Sequence, residues 1–588
     1  MWRWLVVGAA GCTAQLDAPH LVVDPPSIQL DVDLALPAPT VTLRVLAGDE
    51  DVTEGATFSL TGAPIGSFVG RQLVSDGRTG GEATITAIAA GSSVVIPATA
   101  TVHGRRLVGD APATAPDAFA AATDVAVTGP LEPGDGAVLP PDLGSLDVDF
   151  AADDADDLHE IAVTALHLDI RVYAPGAPGP RHVALTAGEW TAIARTARGG
   201  SVGLAARSLH AGTAHRLGAS LAIADLDASA LAFSGVLVDA AGNPTTAPAL
   251  YRYDPRAARV DPFVAAPNGG CIGCHVAISA DGSRISGGGT ASAGGGLVGV
   301  IVDTRAQAVL AFSEPASPWS TSAFDPSGAL VTSYQAQGTL VLRDGATGAA
   351  AATLALGESG AAPAISPDGK TLAYVVIDPS TQSSVGTALH LRSWDVTTAA
   401  VGPVRELVAG TGVMAPEYSP DGAWILYART ASPLSAATQG TEAIRADGSG
   451  RPIELTAGAG DGIPRWASPV AIARAGGRDP EPMAWIAVSS GRSIGAVPLV
   501  GRQQSLWVMA FYPQRGVVSR PFYLPGQSLA LSSLHAPIRL PLASGGWLGL
   551  GRAIAAVDGP AGDAAVALDP ERVRRKLGFD VAYAQRVR

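Results

Sequence analysis

Few residues in this chain have the types and spacing that chemistry needs, and three of those few are cysteines. Cys271-Ile272-Gly273-Cys274-His275 sets two thiols three positions apart, with an imidazole directly after the second. This is the attachment pattern for a c-type haem, in which both thiols form thioethers to the vinyl groups and the histidine ligates iron. The same spacing suits a disulfide in an oxidising compartment. A zinc site would lack a fourth ligand of obvious spacing. Covalent haem c, a disulfide or free thiols, and a metal all stay open on the motif alone. A sixth haem ligand could be Met414, His390 or His535, and nothing in the spacing selects one.

The third cysteine sits in a different context. Arg3 gives the N-terminus one positive charge, Leu5 to Ala10 form a short apolar run, and Ala9-Ala10-Gly11 precede Cys12. A basic start, an apolar stretch and small residues are the parts of a secretory signal. With cysteine directly after the small residues, the segment resembles a bacterial lipobox, and the resemblance implies lipid attachment to Cys12. No later window holds ~18 consecutive strongly apolar residues, so no spanning helix is expected. Residues 1–12 therefore read as a lipoprotein signal peptide. The expected location is the Gram-negative cell envelope, as a periplasmic or outer-membrane lipoprotein held to the membrane by its lipid anchor only.

Other chemical patterns are missing from the sequence. It has no Gly-x-Ser-x-Gly elbow, no His-Glu-x-x-His and no Walker loop. A hydrolase or lyase acting at a channel mouth would have only the fold in its favour. The run Asp153-Asp154-Ala155-Asp156-Asp157 could offer oxygens to Ca²⁺, but lacks the Asp-x-Asp-x-Asp-Gly frame and reads as a solvated acidic loop. Gly287-Gly288-Gly289 with Gly294-Gly295-Gly296 reads as a flexible hairpin between strands. The basic residues from Arg572 to Arg588 read as a solvated tail. A formal charge of -14 argues against a nucleic-acid partner, whose backbone needs a basic face. With 47% apolar and 16% charged residues, the 588-residue chain can bury several cores.

The elements around these residues are strands. Residues 20–105 carry short alternating runs such as Thr40-Val41-Thr42-Leu43-Arg44-Val45, separated by Gly and Asp turns, and predict a β-sandwich. Asp51-Val52-Thr53 and Gly80-Gly81-Glu82-Ala83 resemble bacterial immunoglobulin-like modules. Residues 106–124 are Ala- and Pro-rich and read as a linker. Residues 125–248 return to strand patterns and predict a second sandwich.

From about residue 270 one pattern recurs. It reads Ala277-Ile278-Ser279-Ala280-Asp281-Gly282, Ala323-Phe324-Asp325-Pro326-Ser327-Gly328, Ala364-Ile365-Ser366-Pro367-Asp368-Gly369 and Glu417-Tyr418-Ser419-Pro420-Asp421-Gly422, each followed by a strand. Repeats of ~40–50 residues built as strand, turn, strand signify a β-propeller. With Ala443-Ile444-Arg445-Ala446-Asp447-Gly448-Ser449-Gly450 and Gly462-Ile463-Pro464-Arg465-Trp466, the second half resembles the TolB family of periplasmic propellers. Cys274-His275-Val276-Ala277-Ile278-Ser279 also resembles TolB-like proteins that carry the pentapeptide at the propeller entrance.

The strand patterns and the resemblance together predict an all-β chain: two immunoglobulin-like sandwiches, then a six-bladed TolB-like β-propeller over 249–545, closed by residues ~249–264 against ~520–542, with a tail over 546–588. Trp394, Trp424, Trp466, Trp485 and Trp507 are expected between blades. The resemblance implies a non-enzymatic platform for envelope proteins, peptidoglycan-associated lipoproteins among them. The alternative is a haem-bearing redox protein using Cys271, Cys274 and His275. The lipid anchor is directly testable: Cys12→Ala should abolish labelling by radioactive palmitate and release the chain from the membrane fraction. Unchanged labelling would remove Cys12 from that role.

Overall fold

The computed structural model describes residues 20–153, 156–176, 180–430, 438–457, 461–468, 471–474, 480–501, 503–533 and 538–540. Cys12 and its signal peptide, His535 and the tail at 546–588 lie outside the described residues. Among the described residues the chain is all-β, with two α-helices, Ala115–Ala121 and Ala187–Ala197. No described helix is long and apolar enough to cross a membrane. The chain divides into two compact units, Met1–Arg105 with Thr164–Arg171, and Arg106–Val163 with Val172–Arg588.

In the first unit, Ile28–Asp33 runs parallel to Ser92–Leu107, which pairs antiparallel with Gly81–Ala89, itself paired with Thr57–Gly62. Two further small sheets join Leu21–Asp24 to Arg44–Ala47, and Thr40–Thr42 to Gln72–Ser75 and Gly66–Val69. Alternate residues point inward, so Leu30, Val32, Val45, Leu73, Ile85, Ile96 and Val102 are buried. This is the period-two pattern expected of strands with one core face.

The second unit begins with a mixed region. The hairpin Ser201–His210 with Thr213–Ile223 and the sheet of Leu131–Glu132, Leu146–Phe150 and Arg181–Leu185 supply its strands. Helix Ala187–Ala197 interrupts the all-strand reading of 125–248. Thr186 Oγ1 accepts the Glu189 amide at 3.2 Å while Glu189 Oε2 accepts the Thr186 amide at 2.7 Å. That reciprocal capping box satisfies two orphan donors, and the Thr-x-x-Glu frame is its sequence signal. The residues read as a linker hold helix Ala115–Ala121, which buries Ala115 and Phe119.

Six antiparallel sheets then form a ring. The first contains Cys271–Ile278, Arg284–Thr290, Leu297–Asp303 and Ala308–Phe312, and the second Thr321–Phe324, Leu330–Tyr334, Thr339–Arg343 and Ala350–Thr353. The third contains Gly360–Ile365, Thr371–Val376 and Gly386–Asp395, followed by the long strand Arg405–Tyr418, which is shared with the next sheet. Its second half opens the fourth, with Trp424–Thr430, Thr438–Arg445 and Ile453–Ala457. The fifth is built on Arg465–Trp466, Glu481–Ser490 and Ser505–Tyr512.

The sixth sheet joins distant parts of the chain. Leu231–Leu237 pairs with Leu531–Ser533 and Ile538–Arg539 on one side and with Ala249–Asp254 on the other, and Arg259–Val264 completes it. The boundary read at 248/249 is therefore crossed by strand pairing. Leu231–Leu237, assigned by its pattern to the second sandwich, is a propeller strand. Periodicity shows that it is a strand and is silent on its partner.

The innermost strands neighbour one another around the ring: Cys271–Ile278, Thr321–Phe324, Gly360–Ile365 and Arg405–Tyr418 in order, with Ile538–Arg539 beside both Arg465–Trp466 and Cys271–Ile278. The Trp466 amide donates to Glu417 Oε2 at 2.9 Å and completes the circuit between the fourth and fifth blades. Apolar clusters fill successive seams. Ala232, Leu250 and Phe263 meet Ile272, Val276 and Val300, while Val331 and Leu340 meet Leu372 and Tyr374. Trp394 lies in the latter seam, and Trp424, Trp466 and Trp507 share the seam between the fourth and fifth blades. Trp485 instead donates its indole N–H to Leu226 O at 3.1 Å, outside the blades.

The recurrent turn has a common hydrogen-bond frame. Ser279 Oγ donates to Asp281 at 2.6 Å and accepts the Arg284 amide at 3.0 Å. Ser366 does the same with Asp368 and Thr371, and Ser419 with Asp421 and Trp424. Gly282, Gly369 and Gly422 each take a positive φ, between 68° and 73°, which glycine adopts without strain. In the second blade Asp325 stands in place of the serine, and Trp394 Nε1 donates to its Oδ2 at 3.3 Å. Ser419→Ala removes the buried acceptor of the Trp424 amide and should cost about 1–3 kcal/mol. Thermal unfolding should show the loss, whereas an unchanged Tm would mean that water replaces the hydroxyl.

Candidate functional site

The pentapeptide lies on the innermost strand of the first blade, Cys271–Ile278. Three entry strands share one irregularity. The register slips between Cys274 and Ala277, between Ala361 and Ala364, and between Met414 and Glu417. At each slip a non-glycine residue sits in the left-handed region: His275 at φ 50°, Ala362 at 48° and Ala415 at 49°. Such a conformation costs on the order of 1–3 kcal/mol in isolation, so the surrounding contacts must impose it. At Ala362 and Ala415 they come from the neighbouring blades. The Ala362 amide donates to Thr321 Oγ1 and Ser333 Oγ of the preceding blade at 3.2 and 3.1 Å. Ala415 O accepts Arg465 Nη1 of the following blade at 3.3 Å.

The first blade carries a second slip, absent from the other described entry strands. Cys271 faces Thr290, Ile272 faces Gly289, and Cys274 faces Gly288, so Gly273 is an inserted residue. Without it, positions three apart on a strand fall on opposite faces. With it, Cys271 and Cys274 take register positions opposite residues two apart, on one face of the sheet. Gly273 is at φ 135°, and a Cβ there would come within 2.0 Å of Ser234 Oγ. Ser234 in turn donates to Ile272 O at 3.4 Å, tying this bulge to the closing blade.

The glycine run has a place here too. Gly287, Gly288 and Gly289 lie within strand Arg284–Thr290, not in a hairpin, and only Gly294–Gly296 fall in the turn. A Cβ on Gly289 would sit 2.3 Å from Cys271 O. The backbones approach so closely that a side chain is excluded. Cys271 is a half-buried free thiol, with Thr290 Oγ1 at 3.6 Å from its sulfur. His275 Nδ1 is buried.

The candidate sixth ligands do not converge on this point. His390 belongs to the third strand of the third blade, with Nδ1 2.9 Å from Glu358 and Nε2 3.7 Å from Glu406, so both ring nitrogens face carboxylates. Met414 is on the innermost strand of the fourth blade, three places round the ring from the first, packed with Ala415, Ala428 and Ile463. The register positions of Cys271 and Cys274 beside His275 fit the attachment pattern of a c-type haem, and neither His390 nor Met414 lies on the blade that carries them. No group of three or more His, Cys, Asp or Glu among the described residues could hold a metal ion.

Two polar clusters escaped the sequence reading. His159 Nε2 accepts Arg181 Nε at 2.8 Å, so Nδ1 carries the proton and donates to Ser208 Oγ at 3.0 Å. Burial, helped by the Arg181 charge, pushes the imidazole pKa down to about 4. In this tautomer the ring cannot accept the serine proton, so the pair is a structural link and not a nucleophile with its base. Asp156, from the acidic run, is only 5% exposed and its Oδ2 accepts the Asp153 amide at 2.8 Å. That part of the run folds inward, contrary to a wholly solvated loop.

The second cluster gathers buried acids. Glu132, 3% exposed, lies across the sheet from Asp149, and Arg492 pairs with Asp461 through two contacts of 2.6 Å. Single acids spread through the sequence gave no motif by which to find it.

No family model matches the chain, and no curated protein matches it. Among solved structures it is similar to hydrazine synthase of Kuenenia stuttgartiensis, with 17% identity, 45% of this chain and 68% of that one covered, and a TM-score of 0.29. It is also similar to a putative TolB from Agrobacterium tumefaciens, with 15% identity, 54% of this chain and all of that one covered, and a TM-score of 0.29.

The bulge makes a graded prediction. Gly273→Ala combines a positive φ with a collision and should lower stability by about 1–3 kcal/mol. Gly296→Ala, whose Cβ meets nothing within 4 Å, should leave the Tm unchanged. Equal effects of the two substitutions would mean that the bulge is not needed.

Proposed function

We propose that the chain is an exported, lipid-anchored envelope protein whose propeller is a protein-binding platform and not an enzyme. The observation that carries this reading is the closed ring of six blades, a scaffold whose stacked sheets hold surface loops in fixed positions. The locked tautomer of His159 supports it, because the one serine–histidine contact described above is not set up for nucleophilic attack. The partners proposed are envelope proteins, with peptidoglycan-associated lipoproteins as the first class to test. Purified full-length protein, crosslinked in an envelope extract, should recover such a partner in stoichiometric amount. Recovery of none would overturn the reading.

A second reading is favoured by the Gly273 bulge, which gives Cys271 and Cys274 register positions on one face beside His275. Here the chain would carry a c-type haem, whose contribution is one-electron redox chemistry. The chain's own part would be two thioether positions and one imidazole on the wall of the innermost strand. A pyridine haemochrome spectrum of protein made with cytochrome c maturation decides between the readings. The platform reading expects no covalent haem, and a haemochrome signal lost in Cys271→Ala would establish the second.

A further inference from the structure

The segment 131–149 crosses the seam where the ring closes, and it is fastened there by buried acids. Glu132 Oε1 accepts the Tyr523 amide at 3.0 Å, and Asp147 Oδ2 accepts the Gly526 amide at 2.9 Å. Asp142 Oδ1 accepts the Ala228 amide at 2.7 Å, and its Oδ2 lies 3.3 Å from Arg256 Nε. The backbone adds Gly144 N to Pro255 O at 2.7 Å, and Ala137 bridges to Arg520. These partners belong to the segment 520–527, which carries the fifth-blade strand Phe522–Tyr523, paired with Ser505–Tyr512, and leads into the C-terminal strands of the sixth blade, and to segments flanking Leu231–Leu237 and joining Ala249–Asp254 to Arg259–Val264. Tyr253 in that blade also donates to Pro525 O at 3.2 Å.

We infer that this strap is a pH-responsive latch on the closing seam of the propeller, held tighter at pH 5.5 than at pH 8. This inference is independent of the function proposed above.

The reason is incomplete charge compensation. Glu132 is 3% exposed, and the side chains of Asp142 and Asp147 are each 10% exposed. Around Glu132 stand Arg520 and Arg492, which favour its ionised form, and Asp149, which opposes it. Arg492 is already engaged by Asp461. Asp149 Oδ1 meets His182 Nδ1 at 3.0 Å, and its buried Oδ2 has no hydrogen-bond partner among the described residues. Asp142 faces Arg256 and Asp227, and Arg256 is shared between those two acids while Arg198 also reaches Asp227. Asp147 faces His182 and Asp149.

Burial dominates for all three acids. It pushes Glu132 up to about 7 and Asp142 up to about 6, and raises Asp147 as well. A carboxyl whose pKa is raised in the closed state takes up a proton on closing. Closure is thus favoured fully below the range of exposed carboxylates and weakens as pH rises through about 6 and 7. Above that range each acid must either stay charged in a poor environment or leave it.

Hydrogen exchange of the full chain, corrected for the intrinsic rate at each pH, reads the latch directly. Peptides covering 131–149 and 520–533 should open on the order of tenfold to a hundredfold more often at pH 8 than at pH 5.5. Peptides from Trp424–Thr430, in the fourth blade, should not change between the two. Glu132→Gln with Asp142→Asn, which fixes both groups uncharged, should shrink the difference to the remainder supplied by Asp147 and by His182, which Asp149 holds in its charged form. Equal protection of the wild-type strap at both pH values, or greater protection at pH 8, would overturn the inference. The wild-type comparison decides by itself if the double variant does not fold.

Discussion

The whole second unit depends on the pairing of Leu231–Leu237 with Leu531–Ser533 and Ile538–Arg539. A blade is a sheet with two apolar faces, and it is stable only between two neighbours. Five blades in a row would leave a face of the first and a face of the fifth in water, together with unpaired edges. Building the sixth blade from both ends of the ring covers those faces at once. Ala232, Leu250 and Phe263 then pack against Ile272 and Val300, each large aliphatic contributing about 1.5–3 kcal/mol on burial. The entropic cost of joining distant strands grows only as the logarithm of the loop, about 0.6 kcal/mol per doubling. Burial wins, so the ring closes.

Closure also explains where the unusual backbone lies. Three of the left-handed residues, His275, Ala362 and Ala415, occur on innermost strands, and at Ala362 and Ala415 the neighbouring blade meets the amide or carbonyl. Alanine fills the position twice and histidine once, so the conformation belongs to the blade and the imidazole is an addition to it. The bulge at Gly273 differs in kind. Among the described entry strands it occurs in one, pressed against Ser234 of the closing blade, and it alters the register positions of the two cysteines. The chemistry-bearing pentapeptide and the closing seam thus meet at one place. The strap at 131–149 is fastened to both sides of that seam, through Glu132 to the fifth-blade residue Tyr523 and through Asp142 and Asp147 to the segments leading into the closing blade.

Legibility in the sequence followed the range of the interaction. The turns were plain because Ser279, Asp281 and Gly282 satisfy one another within a few residues, and the same local frame recurs at Ser366 and Ser419. The helix Ala187–Ala197 was marked by Thr186 and Glu189 but lay among strands, and a pattern of strands is easily continued through it. The partner of Leu231–Leu237, the burial of Asp156 and the gathering of Glu132 with Asp149, Arg492 and Asp461 carried no local mark. His390, a candidate ligand in the sequence, is held between Glu358 and Glu406.

By itself the sequence determined the all-β class, the repeating turn and the existence of one cysteine–histidine motif. These follow from hydrophobic period, positive-φ glycines and side chains that bond their own neighbours, all of which act over a handful of residues. Only the tertiary structure decided which strand closes the ring, that one inserted glycine sets the register of Cys271 and Cys274, and which acids are stripped of water. Register and desolvation depend on what packs opposite a residue, and that partner is supplied by the fold and not by the chain nearby.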